Sequence, residues 1–372
     1  MAAVHGTPLY IYEREKITGA LTAVQNAFPG FNVIYSVKAN PFEPVLDRLR
    51  ASGAGIDAAS KNEALTCARL GFPRSEIYYS APGKKATDIS ACLGCARVIA
   101  DSFHELGLID RLARERGMVA DVGIRLNIPR LEMQESRFEV MSGEASKFGV
   151  TLAELLERVS EVKRLESVRI NGIHAYFGSQ LTDAELVAAN FNAVSRAALE
   201  VADAFPGLEY INYGGGFGVP YEPGEQPLDL GKAAELVLSD PALRKTAGGM
   251  RRNIELGRYL TARAGVYVAA VADVKVSGGI KFVILDGGMN AFFRPKFTGQ
   301  THRVSVPGKT GEEETVRLAG NTCTPLDVFY GEVSLPPTEP GDLVVFENAG
   351  AYGYSMSMLD FISFDRPAQV MW

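Results

Sequence analysis

Lys38 follows an apolar run, Asn32 to Val37, inside the segment Tyr35-Ser-Val-Lys38-Ala-Asn40. The carboxyl end of a strand is where barrel folds present catalytic groups, and a lysine amine there can enter covalent chemistry or simply end a strand in solvent. Gly214-Gly215-Gly216-Phe217-Gly218 follows a second apolar stretch, Tyr210 to Tyr213. Glycines after a strand let bare backbone N–H groups approach a phosphate, although a tight turn asks for glycine equally. Cys92 and Cys95 form a lone Cys-x-x-Cys with no second pair and no nearby histidine. That falls short of the four ligands of a structural zinc site, and no metal is expected.

The elements that must hold these residues come in a regular rhythm. From about Phe31 to Arg258 short apolar runs alternate with segments of helical periodicity. Strands are expected at Asn32 to Val37, Glu76 to Tyr79, Arg97 to Asp101, Asp121 to Leu126, Val168 to Tyr176, Tyr210 to Tyr213 and Asn253 to Glu255. Helices are expected at Pro44 to Ala51, Thr87 to Leu93 and His104 to Arg116. The alternation predicts βα units around a parallel sheet. A count near eight units has the size of a (β/α)8 TIM barrel, and a doubly wound sheet has the same rhythm.

After Arg258 the texture changes. Val266 to Val276, Lys281 to Asp286, Arg303 to Val306, Glu314 to Leu318 and Asp342 to Phe346 read as strands between Gly/Pro turns, which predicts a C-terminal, mainly β domain. Pro8 to Tyr12 is also strand-like and precedes the barrel rhythm. The expected division is a barrel over residues 25–260, with residues 1–24 and 261–372 forming the β domain.

Composition narrows the ligands. The 372 residues are 47% hydrophobic with a net charge of -6, enough apolar material for one large domain and a smaller one. There is no Lys/Arg block, so no nucleic-acid footprint, and small molecules are the expected ligands. No apolar run approaches the roughly 20 residues of a membrane span, no secretory leader is recognisable, and four cysteines suit a reducing compartment; the expected location is the cytoplasm.

Further motifs join the first two in order along the chain: Gly55-Ile-Asp57-Ala-Ala-Ser60, Ser146-Lys-Phe-Gly149, Gly178-Ser179-Gln180, Glu255-Leu-Gly-Arg258, Asp286-Gly-Gly-Met-Asn290, Arg294-Pro295, Cys323 with Asp327, and Gly350-Ala-Tyr352. Together they resemble the fold-type III pyridoxal-phosphate decarboxylases, the group of diaminopimelate and ornithine decarboxylases built on the alanine racemase plan. The resemblance runs from Thr7 to Pro367. It implies pyridoxal 5′-phosphate as cofactor, linked covalently to Lys38. It implies phosphate contacts from Ser179, Gly215, Gly216 and Arg258, with Tyr352 closing over the same group. Glu255 would face the pyridine nitrogen and keep it protonated, which makes the ring a better electron sink. Asp57 and Glu63 would support the lysine and ring, and Arg125 would join the polar wall. In this family the cysteine matching Cys323 works in the partner subunit's site, so the resemblance also implies a homodimer with two composite sites.

Two departures bear on chemistry and substrate. The family's His-x-His-x-Gly-Ser strand reads His174-Ala-Tyr176-Phe-Gly178-Ser179, so Tyr176 takes the place of the histidine that stacks on the ring. A tyrosine offers a comparable flat face. Proton handling by His174 or by Tyr176 stays open. The acidic residue that follows the cysteine and holds a distal ammonium is here Thr324. Losing that partner in a dry site would cost a cationic side chain about 3–5 kcal/mol. Arg294 is retained from the pattern that binds a distal carboxylate, Thr298 stands where the diaminopimelate enzymes have tyrosine, and Asp327 completes the expected substrate wall.

These residues suit a substrate with a carboxyl, carbonyl or amide at its far end. The Cys323-Thr-Pro-Leu-Asp327 stretch resembles the secondary-metabolism branch, which decarboxylates amino acids joined to citrate or to a carrier protein. Diaminopimelate decarboxylation for lysine biosynthesis is the alternative. A racemase would typically pair the pyridine nitrogen with Arg, against which Glu255 argues. An inactive binding homologue would tend to lose Lys38, the phosphate contacts or Cys323, and all are present.

Overall fold

Eight parallel strands close into a barrel in this computed structural model, which describes residues 1–129, 146–222, 224–246 and 248–372. In chain order they are Phe31–Ser36, Gly55–Ala58, Ile77–Ser80, Arg97–Ala100, Ala120–Asn127, Val168–His174, Tyr210–Gly215 and Arg251–Leu256. The circle closes where the eighth strand pairs in register with the first, Glu255 beside Ile34. The doubly wound alternative is thereby excluded. The expected TIM barrel with a mainly β domain is what the chain forms.

The barrel interior is packed rather than hollow. Ile34, Tyr78, Ile99 and Tyr210 form an apolar plug separate from the main core, the layered filling usual for such barrels. The Tyr210 ring fits because Gly123 and Gly172 face it: a Cβ at either would lie 2.2 Å from tyrosine atoms. Helices seal the outside with one apolar face each. In Arg14–Ala27, for example, Ile17, Leu21 and Val24 recur at helical spacing and are buried.

The second sheet runs Val304–Ser305, Leu343–Phe346, Gly265–Ser277, Ile280–Leu285, Glu314–Ala319 and Val328–Leu335. Leu9–Tyr12 pairs antiparallel with Gly265–Ser277 and parallel with Ala368–Met371, so the chain's opening strand lies in this sheet. One segment of the β domain reaches back to the barrel mouth. Tyr352 N donates to Ala39 O at 2.7 Å, Ser355 Oγ to Lys38 O at 2.9 Å, and Asn40 Nδ2 to Gly350 O at 3.0 Å. Tyr352 has φ +61°, a conformation costing a non-glycine residue about 1 kcal/mol, which these bonds offset.

Several elements differ from the sequence reading, among them the strands Val328–Leu335 and Ala368–Met371, which fall outside the strands expected in the β domain. The strand Gly55–Ala58 was not anticipated, since four residues with a central aspartate show no period. The strand expected to reach Tyr176 ends at His174, which leaves Tyr176 in the following loop. Among the described residues no helix is long and apolar enough to cross a membrane.

Candidate active site

The C-terminal ends of the barrel strands converge on a cavity of about 530 Å3, a size suited to a small ligand. Lys38, in a short turn just beyond the first strand, opens into it with 39% of its side chain accessible. Its Nζ lies 2.8 Å from Asp57 Oδ2 on the second strand and 3.7 Å from Glu255 Oε1 on the eighth. Desolvation alone would pull the ammonium's pKa down, but Asp57 and Glu255 together hold it above the usual lysine range. Burial and the neighbouring Glu255 push Asp57 up to about 7, against the pull of Lys38.

Glu255 is buried and held from several sides. Its Oε2 accepts from Asn212 Nδ2 at 3.2 Å and lies 3.1 Å from His174 Nε2, while Oε1 accepts from Ser36 Oγ at 3.4 Å. Burial opposes its charge, yet His174 and Lys38 outweigh that and keep the carboxyl below the normal range. Asn212 also accepts from Gly214 N at 3.0 Å, which ties the glycine loop to Glu255.

On the other side lies a cationic corner beside the glycine loop. Arg258 donates to Ser179 Oγ at 3.3 Å and to Tyr221 OH at 3.0 Å, and its guanidinium sits 5.1 Å from the Tyr352 ring centre. Its buried Nε has no hydrogen-bond partner. Gly216, at φ +73°, passes so close to Gly178 that a Cβ would lie 2.0 Å from Gly178 O. Tyr176 lines the cavity beside Lys38. An accessible amine, a buried carboxylate, a flat aromatic side chain and a partly unpaired arginine beside a glycine cradle fit pyridoxal phosphate.

The remaining expected residues divide. Arg125 lines the cavity with its guanidinium over the Phe148 ring at 4.3 Å. Arg294 and Thr298 line it as well; Arg294 lies over Tyr221 at 4.7 Å and donates to Gln300 Oε1 at 2.6 Å, with Nε unpaired. Glu63 is spent on the backbone, accepting from Ala59 N at 2.6 Å. Cys323, Thr324 and Asp327 do not line this chain's cavity. Cys323 is exposed. The carboxylate of Asp327 is turned into its own loop, where it accepts from Met289 N at 2.8 Å and Thr322 N at 2.9 Å. That places Asp327 as the anchor of the Cys323 loop rather than in the wall of this chain's own cavity.

Ser36, Ser80, Asn212 and Tyr221 were missed by the sequence reading. Position was a signal for Ser36 and Asn212, which lie on strands that lead into Lys38 and the glycine run, whereas nothing in the sequence marked Ser80 or Tyr221. A larger groove of about 680 Å3, between Lys16, Tyr259, Arg263 and Asn348, shares no lining residue with the cavity.

Residues 14–262 match the family model described as pyridoxal-dependent decarboxylase, pyridoxal binding domain. The chain is 32% identical to the L-glutamyl-[BtrI acyl-carrier protein] decarboxylase of Niallia circulans, over 98% of this chain and 88% of that protein. It is also 32% identical to the diaminopimelate decarboxylase of Methanothermobacter thermautotrophicus, over 100% and 88%. The crystal structure of diaminopimelate decarboxylase from Helicobacter pylori complexed with L-lysine superposes with a TM-score of 0.90 at 29% identity, covering 100% of this chain and 93% of that one.

Proposed function

The chain belongs to the pyridoxal-dependent decarboxylases, and from that premise we propose that it acts on an amino acid or amino-acid conjugate whose far end is acyl or anionic rather than an ammonium. The family membership makes it a carboxy-lyase that uses pyridoxal phosphate. The observation that carries the substrate reading is the charge of the cavity wall. Among the described residues its only carboxylates are Asp57 and Glu255, both facing Lys38, while Arg125, Arg258 and Arg294 all line it. A distal ammonium would find no free acid there, and Thr324 removes the one expected after Cys323. A distal carboxyl, carbonyl or amide would find Arg294 and the Thr298 region.

When bound, the cofactor supplies the electron sink that makes loss of carbon dioxide from Cα feasible. The chain's own residues do the rest. Asp57 aims the Lys38 amine. Glu255, fixed by Asn212 and Ser36, would hold a negative charge toward the ring nitrogen. Ser179, Gly215, Gly216 and Arg258 would grip the phosphate, with Tyr352 over Arg258. Cys323 would donate its Sγ proton at Cα in the other subunit of a homodimer; its exposure and its absence from its own cavity support that reading.

The substrate reading is tested by carbon dioxide release over a panel: free glutamate, glutamyl thioester on a carrier protein, citryl-amino acids, diaminopimelate and ornithine. An acyl-ended or anionic member should give the highest kcat/KM, with ornithine lower by about a hundredfold or more. Preference for ornithine would refute the reading. Diaminopimelate is the second reading, favoured by several relatives of that activity. Its distal carboxylate could meet Arg294, but its distal ammonium would lie unpaired beside Thr324.

Cys323 gives the dimer its own prediction. Lys38→Ala and Cys323→Ala subunits, each inactive alone, should regain about a quarter of wild-type activity when mixed and reassembled, because half the dimers are mixed and each has one intact site. Native mass spectrometry that finds mixed dimers without activity would place the thiol outside the partner's site.

A further inference from the structure

Ser80, at the end of the third barrel strand, and His174, at the end of the sixth, form a line that ends on Glu255. Ser80 Oγ is 3.3 Å from His174 Nδ1, and His174 Nε2 is 3.1 Å from Glu255 Oε2. The ring is 2% exposed, and its buried Nε2 makes no aligned hydrogen bond in the structure, so that Glu255 Oε2 at 3.1 Å is the acceptor within its reach. We propose that His174 is a positioning residue that serves as a neutral Nε2–H donor to Glu255, with its tautomer set by the Ser80 hydroxyl donating to Nδ1. This rests on the proposed role of Glu255 toward the cofactor ring.

The other protonation states fit less well. With the proton on Nδ1, a bare Nε2 lone pair would face a buried carboxylate at 3.1 Å, two acceptors with no hydrogen between them. With both nitrogens protonated, a cation would stand in a buried position. Glu255 favours that cation, whereas burial, Arg125 and Lys38 oppose it, and the balance lowers the His174 pKa below the ordinary value. Asp57 stands one step further off, beside Glu255 and Lys38. The neutral Nε2–H form leaves Glu255 as the sole owner of the negative charge and adds a donor to those from Asn212 and Ser36. Loss of that donor lets the buried carboxyl take up a proton more readily. A protonated Glu255 no longer holds the ring nitrogen in its charged form.

The chain has four histidines, so nitrogen NMR of the histidine-labelled holoenzyme can be assigned by single substitutions. His174 should show a pyridine-type Nδ1 and a pyrrole-type Nε2, unchanged from roughly pH 6 to 9. His302 provides the opposite tautomer in the same spectrum, since its Nδ1 lies 2.7 Å from Glu347 O and must donate. His174→Phe should lose about tenfold to a hundredfold in kcat with KM and cofactor affinity little changed, and its acid limb should move toward neutral pH. His174→Gln, which keeps an N–H donor, should recover part of that loss. Ser80→Ala, a smaller change to packing, should let the Nδ1–H form appear. A doubly protonated His174, an Nδ1–H His174 in the wild type, or a folded, cofactor-loaded His174→Phe with unaltered kcat and pH profile would overturn the proposal. A wild-type protein that takes up no cofactor would instead refute the functional reading on which it rests.

Discussion

Lys38→Ala should lose decarboxylase activity by on the order of 10^4-fold or more, the scale seen when a covalent catalyst is removed. Lys38 is the one lysine among the described residues that lines the cavity. Lys84, close in sequence to the lining residues Ala81 and Pro82, cannot take its place: its Nζ is fully buried, 2.7 Å from Glu105 Oε2 and 2.6 Å from Ala81 O. Lys38→Arg should be equally inactive. It keeps a cation facing Asp57, but a guanidinium does not deprotonate to a nucleophile. Carbon dioxide release from either variant within about tenfold of wild type would show that the amine is dispensable.

Glu255→Ala and Arg258→Ala should separate the electronic from the gripping role. The Glu255 side chain bonds Asn212 and Ser36, faces His174 and Lys38, and makes no bond to Arg258 or Ser179, so its loss should lower kcat by about a hundredfold to ten-thousandfold while cofactor affinity changes little. Arg258 bonds Ser179 and retains an unpaired Nε. Its loss should weaken cofactor binding by about 2–3 kcal/mol, the worth of charged hydrogen bonds, with the smaller part of its effect on kcat at saturating cofactor. Cofactor titration and steady-state kinetics on both variants measure the two quantities. Equal effects of both substitutions on both quantities would leave these roles without support.

Much of this architecture was legible in the sequence because the strand ends carry short, distinctive groups. Lys38, Glu255 with Arg258, and the Gly214–Gly218 run each mark where a barrel strand delivers its chemistry, and the change of texture after Arg258 marks the β sheet. What escaped notice was set by contacts between distant segments. Ser80 and Asn212 are ordinary polar residues until closure of the barrel brings the ends of the third, sixth, seventh and eighth strands around one carboxylate. Gly55–Ala58 has no readable period, because its neighbours on both sides rather than its own pattern make it a strand. Asp327 matches a motif, yet two backbone amides claim its carboxylate. The end of the His174 strand two residues early likewise follows from the loop that must turn toward Ser179 and the Arg258 corner.

The most direct test of the account is to reduce the freshly purified protein with borohydride, digest it, and locate the cofactor by mass spectrometry. The yellow of the native protein should fade on reduction, and a single added pyridoxyl phosphate mass should map to the peptide that carries Lys38. A cofactor fixed on any other lysine, or a protein that carries none after incubation with pyridoxal phosphate, would contradict the assignment of Lys38 and the site built around it.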